Sequence, residues 1–193
     1  MSKGILFVVT GPSGVGKGTV LTEVRKQRKL YFSISATTRK PREGEQDGVH
    51  YYFLTREEFA QKVAENGFLE HAEFSGNCYG TPAAPVDAML NEGKDVLLEI
   101  EVQGAMQVHD IREDAVRIFI APPNFEELQS RLTGRGTESE EAVRRRLETA
   151  KHELTLAHDF DYIVVNNTVE QAANDVLAIM QAETCRAARV KIN

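Results

Sequence analysis

Residues Ile5–Val20 read ILFVVTGPSGVGKGTV, and the passage from a short apolar run into a glycine-rich turn decides the fold. Ile5 to Thr10 is dominated by β-branched and aromatic side chains, and its length suits a buried strand. Gly11, Pro12, Ser13, Gly14, Val15 and Gly16 then turn the chain, and Lys17 opens a helix predicted to run to Lys29. In the pattern Gly, four residues, Gly, Lys, the glycines let successive N–H groups point inward. The following helix offers its positive end, and the lysine reaches β and γ phosphates. The next residue is usually Ser or Thr, whose hydroxyl ligates Mg²⁺, but here Gly18 precedes Thr19. A metal at this loop is therefore expected to be held by nucleotide phosphates and water, with less help from the protein.

Beyond the loop, apolar runs alternate with amphipathic stretches. Asp95–Ile100, Val116–Ala121 and Tyr162–Val165 join Ile5–Thr10 as strands. Gln103–His109, Asn124–Leu132 and Val169–Arg189 are the matching helices. The alternation predicts an α/β fold, a doubly wound P-loop parallel sheet flanked by helices, with ligands beyond the carboxyl ends of its strands. Two excursions interrupt a single domain over 1–193. The core is expected at 1–34 and 94–193, a mixed α/β insert at about 35–93 and a short helical lid at about 133–148. Within the insert, HYYFLTREEF (50–59) reads as a strand and a capped helix, and GFLEHAEFSGNCYG (67–80) as a pair of short strands. The lid joins Gly134 and Gly136 to a long polar helix with Thr137 or Ser139 as its N-cap.

Lys and Arg total 23 against 29 Asp and Glu, a net charge of −6, so neither a nucleic-acid surface nor an anionic-membrane surface is expected and any basic site is local. Cys78 and Cys185 lack metal-ligand spacing, and the histidines lack zinc spacing. The opening apolar run is too short for a signal sequence or a membrane span. The expectation is a soluble, cytoplasmic protein. A GTPase of the common type needs an Asn-Lys-x-Asp guanine reader, and the NNT at 166–168 is not one.

Ser35, Arg39, Arg42 and Tyr51 lie in the turn-rich SISATTRKPREGEQDGVHYYF (33–53), where two guanidinium groups and hydroxyls can converge on a second anion. Taken with GFLEHAEFSGNCYGTP (67–82) and GRGTESEEAVRRRL (134–147), in this order and spacing, the chain resembles guanylate kinases from the loop at Gly11 to the last helix. The resemblance implies transfer of the γ-phosphoryl of ATP to GMP, in guanine nucleotide metabolism. It implies that Arg39, Arg42, Tyr51 and Tyr79 grip the GMP phosphate while Ser35, Glu70 and Thr81 read the guanine. The chemistry agrees: a carboxylate accepts from guanine N1–H and N2–H₂ and a hydroxyl donates to O6. Thr81 stands where family members often have Ser.

The resemblance also makes Arg135 and Arg146, then Arg131, the arginines that act on the transferring group, with Arg145 solvated. Asn166 and Asn167 are candidates for the donor adenine. Glu99 and Glu101, two apart in DVLLEIEVQGA (95–105), share a face if strand geometry persists. They stand where the family commonly has Asp-x-Asp, one to orient water on Mg²⁺ and the other to meet the acceptor. A noncatalytic guanylate-kinase-like module binding phosphopeptides is disfavoured by an intact Gly16-Lys17. A ribose-phosphate kinase is disfavoured by Glu70 and Thr81, since a sugar phosphate has no guanine edge to read.

Overall fold

The computed structural model of the chain describes residues 3–74, 76–133 and 140–190. In chain order it begins with β1 (Leu6–Thr10), α1 (Lys17–Gln27), β2 (Tyr31–Phe32), β3 (Ala36–Thr37), β4 (Tyr52–Phe53) and α2 (Arg56–Ala64). There follow β5 (Phe68–Phe74), β6 (Asn77–Pro82), α3 (Ala83–Asn91), β7 (Val96–Glu99) and α4 (Val102–Ile111). The chain closes with β8 (Val116–Ala121), α5 (Phe125–Thr133), α6 (Glu140–Thr155), a short 3₁₀ turn, β9 (Tyr162–Val165) and α7 (Val169–Thr184).

Two sheets result. The first runs β2-β7-β1-β8-β9 with parallel pairings, and the second runs β4-β3-β6-β5 with one parallel and two antiparallel pairings. Parallel strands covered by crossover helices read as continuous apolar runs, and β1 is buried at all five positions.

The chain divides into two compact units. One holds Met1–Leu6, Tyr31–Leu98 and Gln103–Ala115, and the other Phe7–Leu30, Glu99–Val102 and Val116–Asn193. In the first, Ala36, Phe59 and Phe68 form a small core against Tyr52, Leu54, Val63 and Cys78, with the Phe59 and Phe68 rings stacked at 4.5 Å. Thr55 starts α2 through a reciprocal capping box with Glu58. In the second, α7 buries Ala172, Ala173, Val176 and Met180, and Val20, Leu21 and Val24 are the buried face of α1. Arg117, the one charged residue of buried β8, is matched by Asp161, which accepts from its backbone N–H at 2.7 Å and pairs with its guanidinium at 3.3 Å.

Val116–Ala121 and Tyr162–Val165 are strands at their expected bounds, and the other expected strands and helices are present with shifted ends. Helix α1 stops at Gln27 rather than Lys29 because Arg28 is already extended, with φ −130° and ψ 132°. Helix α7 stops at Thr184 rather than Arg189. Arg186 and Arg189 turn back onto the buried Glu183 carboxylate, which also accepts from the Tyr162 hydroxyl at 2.6 Å. Two-residue β2 and β3 and helix α3 are additional to the sequence reading.

Candidate functional site

The phosphate-type loop is built in the second unit by two glycine positions that no other residue fits. A Cβ on Gly11 would stand 2.1 Å from the Ile120 carbonyl, and Gly16, at φ 96°, is the left-handed N-cap of α1. The loop is then gathered from several elements. Asn166, buried after β9, donates Nδ2–H to the Val15 carbonyl at 2.8 Å, and Arg131 of α5 donates to the same oxygen at 3.2 Å. Arg146 of α6 donates to Ser13 Oγ at 2.8 Å, and Lys17 Nζ spans the loop to the Gly11 carbonyl at 2.5 Å. Three cations and a helix N-terminus therefore converge on residues 11–18, the electrostatics an oligophosphate requires. Arg145 instead pairs with Glu141 on the exposed side of α6, as expected of a solvated arginine. Asn166 is occupied in shaping the loop, and Asn167 lies exposed beside it. Arg135, Gly134, Gly136, Thr137 and Ser139 lie outside the described residues.

Glu99 and Glu101 are not brought together by strand alternation. Strand β7 ends at Glu99 and α4 begins at Val102, so Glu101 flanks a helix start. Glu99 nonetheless lies beside the loop. Glu99 Oε1 lies 3.6 Å from the place a Cβ on Gly18 would take, an ordinary contact. Desolvation raises the Glu99 carboxyl above its ordinary value, Glu101 adds to that, and Lys17 and Arg25 oppose it. Since Glu99 keeps an exposed edge, this desolvation is crowding by neighbouring groups rather than enclosure. Glu153 of α6 is a third carboxyl in this field. Desolvation first, then Glu101, pushes it up to about 7 against the pull of Lys17.

In the first unit the acceptor candidates form two groups. Arg39 is held by Glu45 through paired bonds of 2.9 and 3.0 Å, and its guanidinium lies 5.4 Å from the Tyr51 ring centre. Tyr51 and Tyr79 meet edge to face at 6.3 Å. Glu45 also accepts the Arg42 backbone N–H at 2.7 Å, and the Arg39 and Arg42 bonds hold its carboxyl down at about 2. Arg42 keeps its side chain exposed, and Ser35 is half-buried, its carbonyl taken by Tyr52 N–H at 2.9 Å.

The second group is buried. Glu70 of β5 faces Thr81 of β6, and Thr81 Oγ1 donates to Glu70 Oε1 at 2.7 Å. A hydroxyl carries one proton, so in this arrangement Thr81 cannot also donate to a guanine O6. In this arrangement the Thr81 hydroxyl is bonded to Glu70.

These features coincide with a family. The family model described as guanylate kinase matches residues 3–183.

The chain belongs to the guanylate kinase family.

A guanylate kinase of Thermus thermophilus is 54% identical over 188 residues, 97% of this chain and 86% of its own. One of Clostridium perfringens is 50% identical over 193 residues, all of this chain and 89% of its own. The crystal structure of guanylate kinase from Anaplasma phagocytophilum has a TM-score of 0.77 and 34% identity, covering 98% of this chain and 90% of that one. A shikimate kinase from Aquifex aeolicus, at 14% identity and a TM-score of 0.51, shares the fold alone. Among the described residues no helix is long and apolar enough to cross a membrane.

Against this guanylate kinase framework, sequence reasoning missed the residues that act on other residues. Glu45 had a local signal, an acid three positions after Arg42 in a turn closed by Glu45 N–H to the Arg42 carbonyl at 3.0 Å. Glu153 had none, because Glu101 and Lys17, the groups that act on it, are remote in sequence.

Proposed function

We propose that the chain transfers the γ-phosphoryl of ATP to GMP, giving ADP and GDP, with the donor held by the glycine-rich loop and the acceptor by the insert. Membership of the guanylate kinase family carries the reaction. The observation that best supports GMP as acceptor is the buried Glu70 carboxylate fixed by Thr81. Its oxygens can take guanine N1–H and N2–H₂, whereas adenine presents an acceptor at N1 and would leave the carboxylate opposed. Such a mismatch costs about 1–3 kcal/mol, more when charged. With the Thr81 proton spent on Glu70, Ser35 is the reader with a hydroxyl to offer O6. Arg39, Arg42, Tyr51 and Tyr79 take the GMP phosphate, Arg39 being held in place by Glu45.

GMP arrives with an ionised phosphate oxygen, so the chain needs no general base. It must bring two anions into line and neutralise the transferring group. Lys17, Arg131 and Arg146 supply that charge in the described residues, and Arg135 joins them by family resemblance. The backbone of residues 11–19 cradles the ATP phosphates, and Asn166 and Asn167 flank the donor. Mg²⁺ bound with ATP would supply charge neutralisation on the phosphates. Gly18 offers no hydroxyl, so phosphate oxygens and water would hold the metal, and Glu99, adjacent to Gly18, would accept from such a water. The enzyme so described is cytoplasmic.

Lys17→Ala tests the donor half of the assignment. Phosphoryl transfer is expected to fall by at least 10²-fold with GMP binding retained by calorimetry. Unchanged turnover would remove Lys17 from the reaction. Arg42→Ala tests the acceptor half and is expected to raise the GMP KM while leaving the ATP KM alone.

A further inference from the structure

Glu70 is held on one side by Thr81, and on the other it meets a residue with no side chain at all. Gly104 is the third residue of α4 and is buried. A Cβ built there would stand 2.7 Å from Glu70 Oε2, 3.2 Å from Cδ and 3.3 Å from Cγ. The backbone at Gly104 is helical and not among the left-handed positions, so no dihedral requires glycine. Helix propensity disfavours it there. What a glycine provides at this place is room for a carboxylate.

The helix cannot easily retreat to make that room in another way. Gln107, three positions on and so on the same face, holds the backbone of β5 at His71, the residue after Glu70. His71 N–H donates to Gln107 Oε1 at 3.1 Å, and Gln107 Nε2–H donates to the His71 carbonyl at 3.1 Å. The spacing between α4 and β5 is thus fixed by a two-bond amide clamp beside Glu70. A methyl added at position 104 would have to be accommodated by what is most easily moved, the far end of the Glu70 side chain.

We infer that Gly104 is a positioning residue for substrate specificity: its missing side chain sets where the Glu70 carboxylate stands, and through it the preference for guanine over a purine lacking the 2-amino group. This inference rests on Glu70 being the guanine reader. Gly104 touches no substrate in this account. The carboxylate must present two oxygens to two adjacent donors, N1–H and N2–H₂, and a displacement of about 1 Å costs alignment at both. Inosine monophosphate keeps N1–H and lacks the 2-amino group, so it reports loss of the second bond directly.

The test compares the wild type with Gly104→Ala, Glu70→Ala, Glu70→Asp and the double variant Gly104→Ala/Glu70→Asp in the full chain. The readouts are KM for GMP, inosine monophosphate and ATP, with the thermal midpoint of each protein. Gly104→Ala is expected to raise the GMP KM about tenfold, the loss of roughly one hydrogen bond to a charged group. It should narrow the preference for GMP over inosine monophosphate, leave the ATP KM unchanged and keep or raise the midpoint, since alanine favours the helix. Aspartate is one methylene shorter and withdraws from the added methyl. Gly104→Ala should therefore cost less in the Glu70→Asp background than in the wild type, a coupling that additive effects would contradict. Wild-type acceptor kinetics in Gly104→Ala, or a lowered midpoint without a change in the GMP preference, would overturn the inference. Glu70→Ala separates the two levels. If it leaves the GMP preference intact, Glu70 is not the guanine reader; if it abolishes that preference while Gly104→Ala is silent, only the role of Gly104 falls.

Discussion

Replacing Glu153 by Gln should stabilise the protein, and only above mildly acidic pH. The Glu153 carboxyl is pushed to about 7 from an ordinary 4.5, first by desolvation and then by Glu101, with Lys17 opposing. Between those two values the unfolded chain has released the proton that the folded chain keeps, so folding stability falls as pH rises through this window. At about 1.36 kcal/mol per pH unit, the span from 4.5 to 7 sets a ceiling of about 3.4 kcal/mol. Glu153 is only partly buried, and solvent screens its neighbours, which reduces the expected value to about 1–2 kcal/mol. Glutamine keeps the shape and cannot ionise. The difference between variant and wild type, measured by urea denaturation, should be small at pH 5 and reach about 1–2 kcal/mol at pH 8. For a chain of this size that corresponds to about 2–8 °C in midpoint. Parallel stability profiles for the two proteins from pH 5 to 8, or a Glu153 carboxyl titrating near 4.5 by NMR, would refute the reasoning.

Three further outcomes follow from single contacts. Glu45→Gln removes the charge that pairs with Arg39 and should raise the GMP KM about 5- to 10-fold with kcat little changed, because a charge-assisted paired bond orients that guanidinium; steady-state kinetics in GMP decide it. Arg146→Ala removes the bond to Ser13 Oγ and a positive charge at the loop, and should lower kcat at least 10²-fold while GMP binding by calorimetry persists. Thr55→Ala deletes the α2 capping box and should cost about 1 kcal/mol in stability, measured by denaturant midpoint. It lies outside the acceptor residues, and its kinetics should be those of the wild type.

The parts of this fold that were legible in the sequence are those whose cause is local. The run Ile5–Thr10 and the glycines after it identify a strand, a turn and a helix start because each needs only its neighbours. Val116–Ala121 and Tyr162–Val165 were readable to the residue because both are short runs of apolar, mostly β-branched and aromatic side chains, interrupted only by Arg117. Two-residue β2 and β3 were not, since such short strands exist through pairing with β7, β4 and β6 rather than through a pattern of their own. Helix α7 looked longer in sequence because nothing local announces that Arg186 and Arg189 turn back to Glu183.

The site divides in the same way. Lys17 was named from the fixed spacing of its loop, and Arg39, Glu70 and Thr81 from the resemblance to guanylate kinases. The residues that position them depend on the folded chain: Gln107 holds His71 across 36 positions, and Asn166 reaches the Val15 carbonyl across 151. Thr81 came from the family resemblance alone; only the folded chain shows its hydroxyl bonded to Glu70 at 2.7 Å.

The central claim, phosphoryl transfer from ATP to an acceptor chosen by its guanine edge, is tested most directly by one assay. ADP production from Mg-ATP is measured with GMP, AMP, UMP, dTMP and ribose 1,5-bisphosphate, each offered separately at equal concentration. Strong preference for GMP, with GDP formed in step with ADP, is the predicted result. Binding of GMP without ADP production, or equal turnover of AMP and GMP, would contradict it.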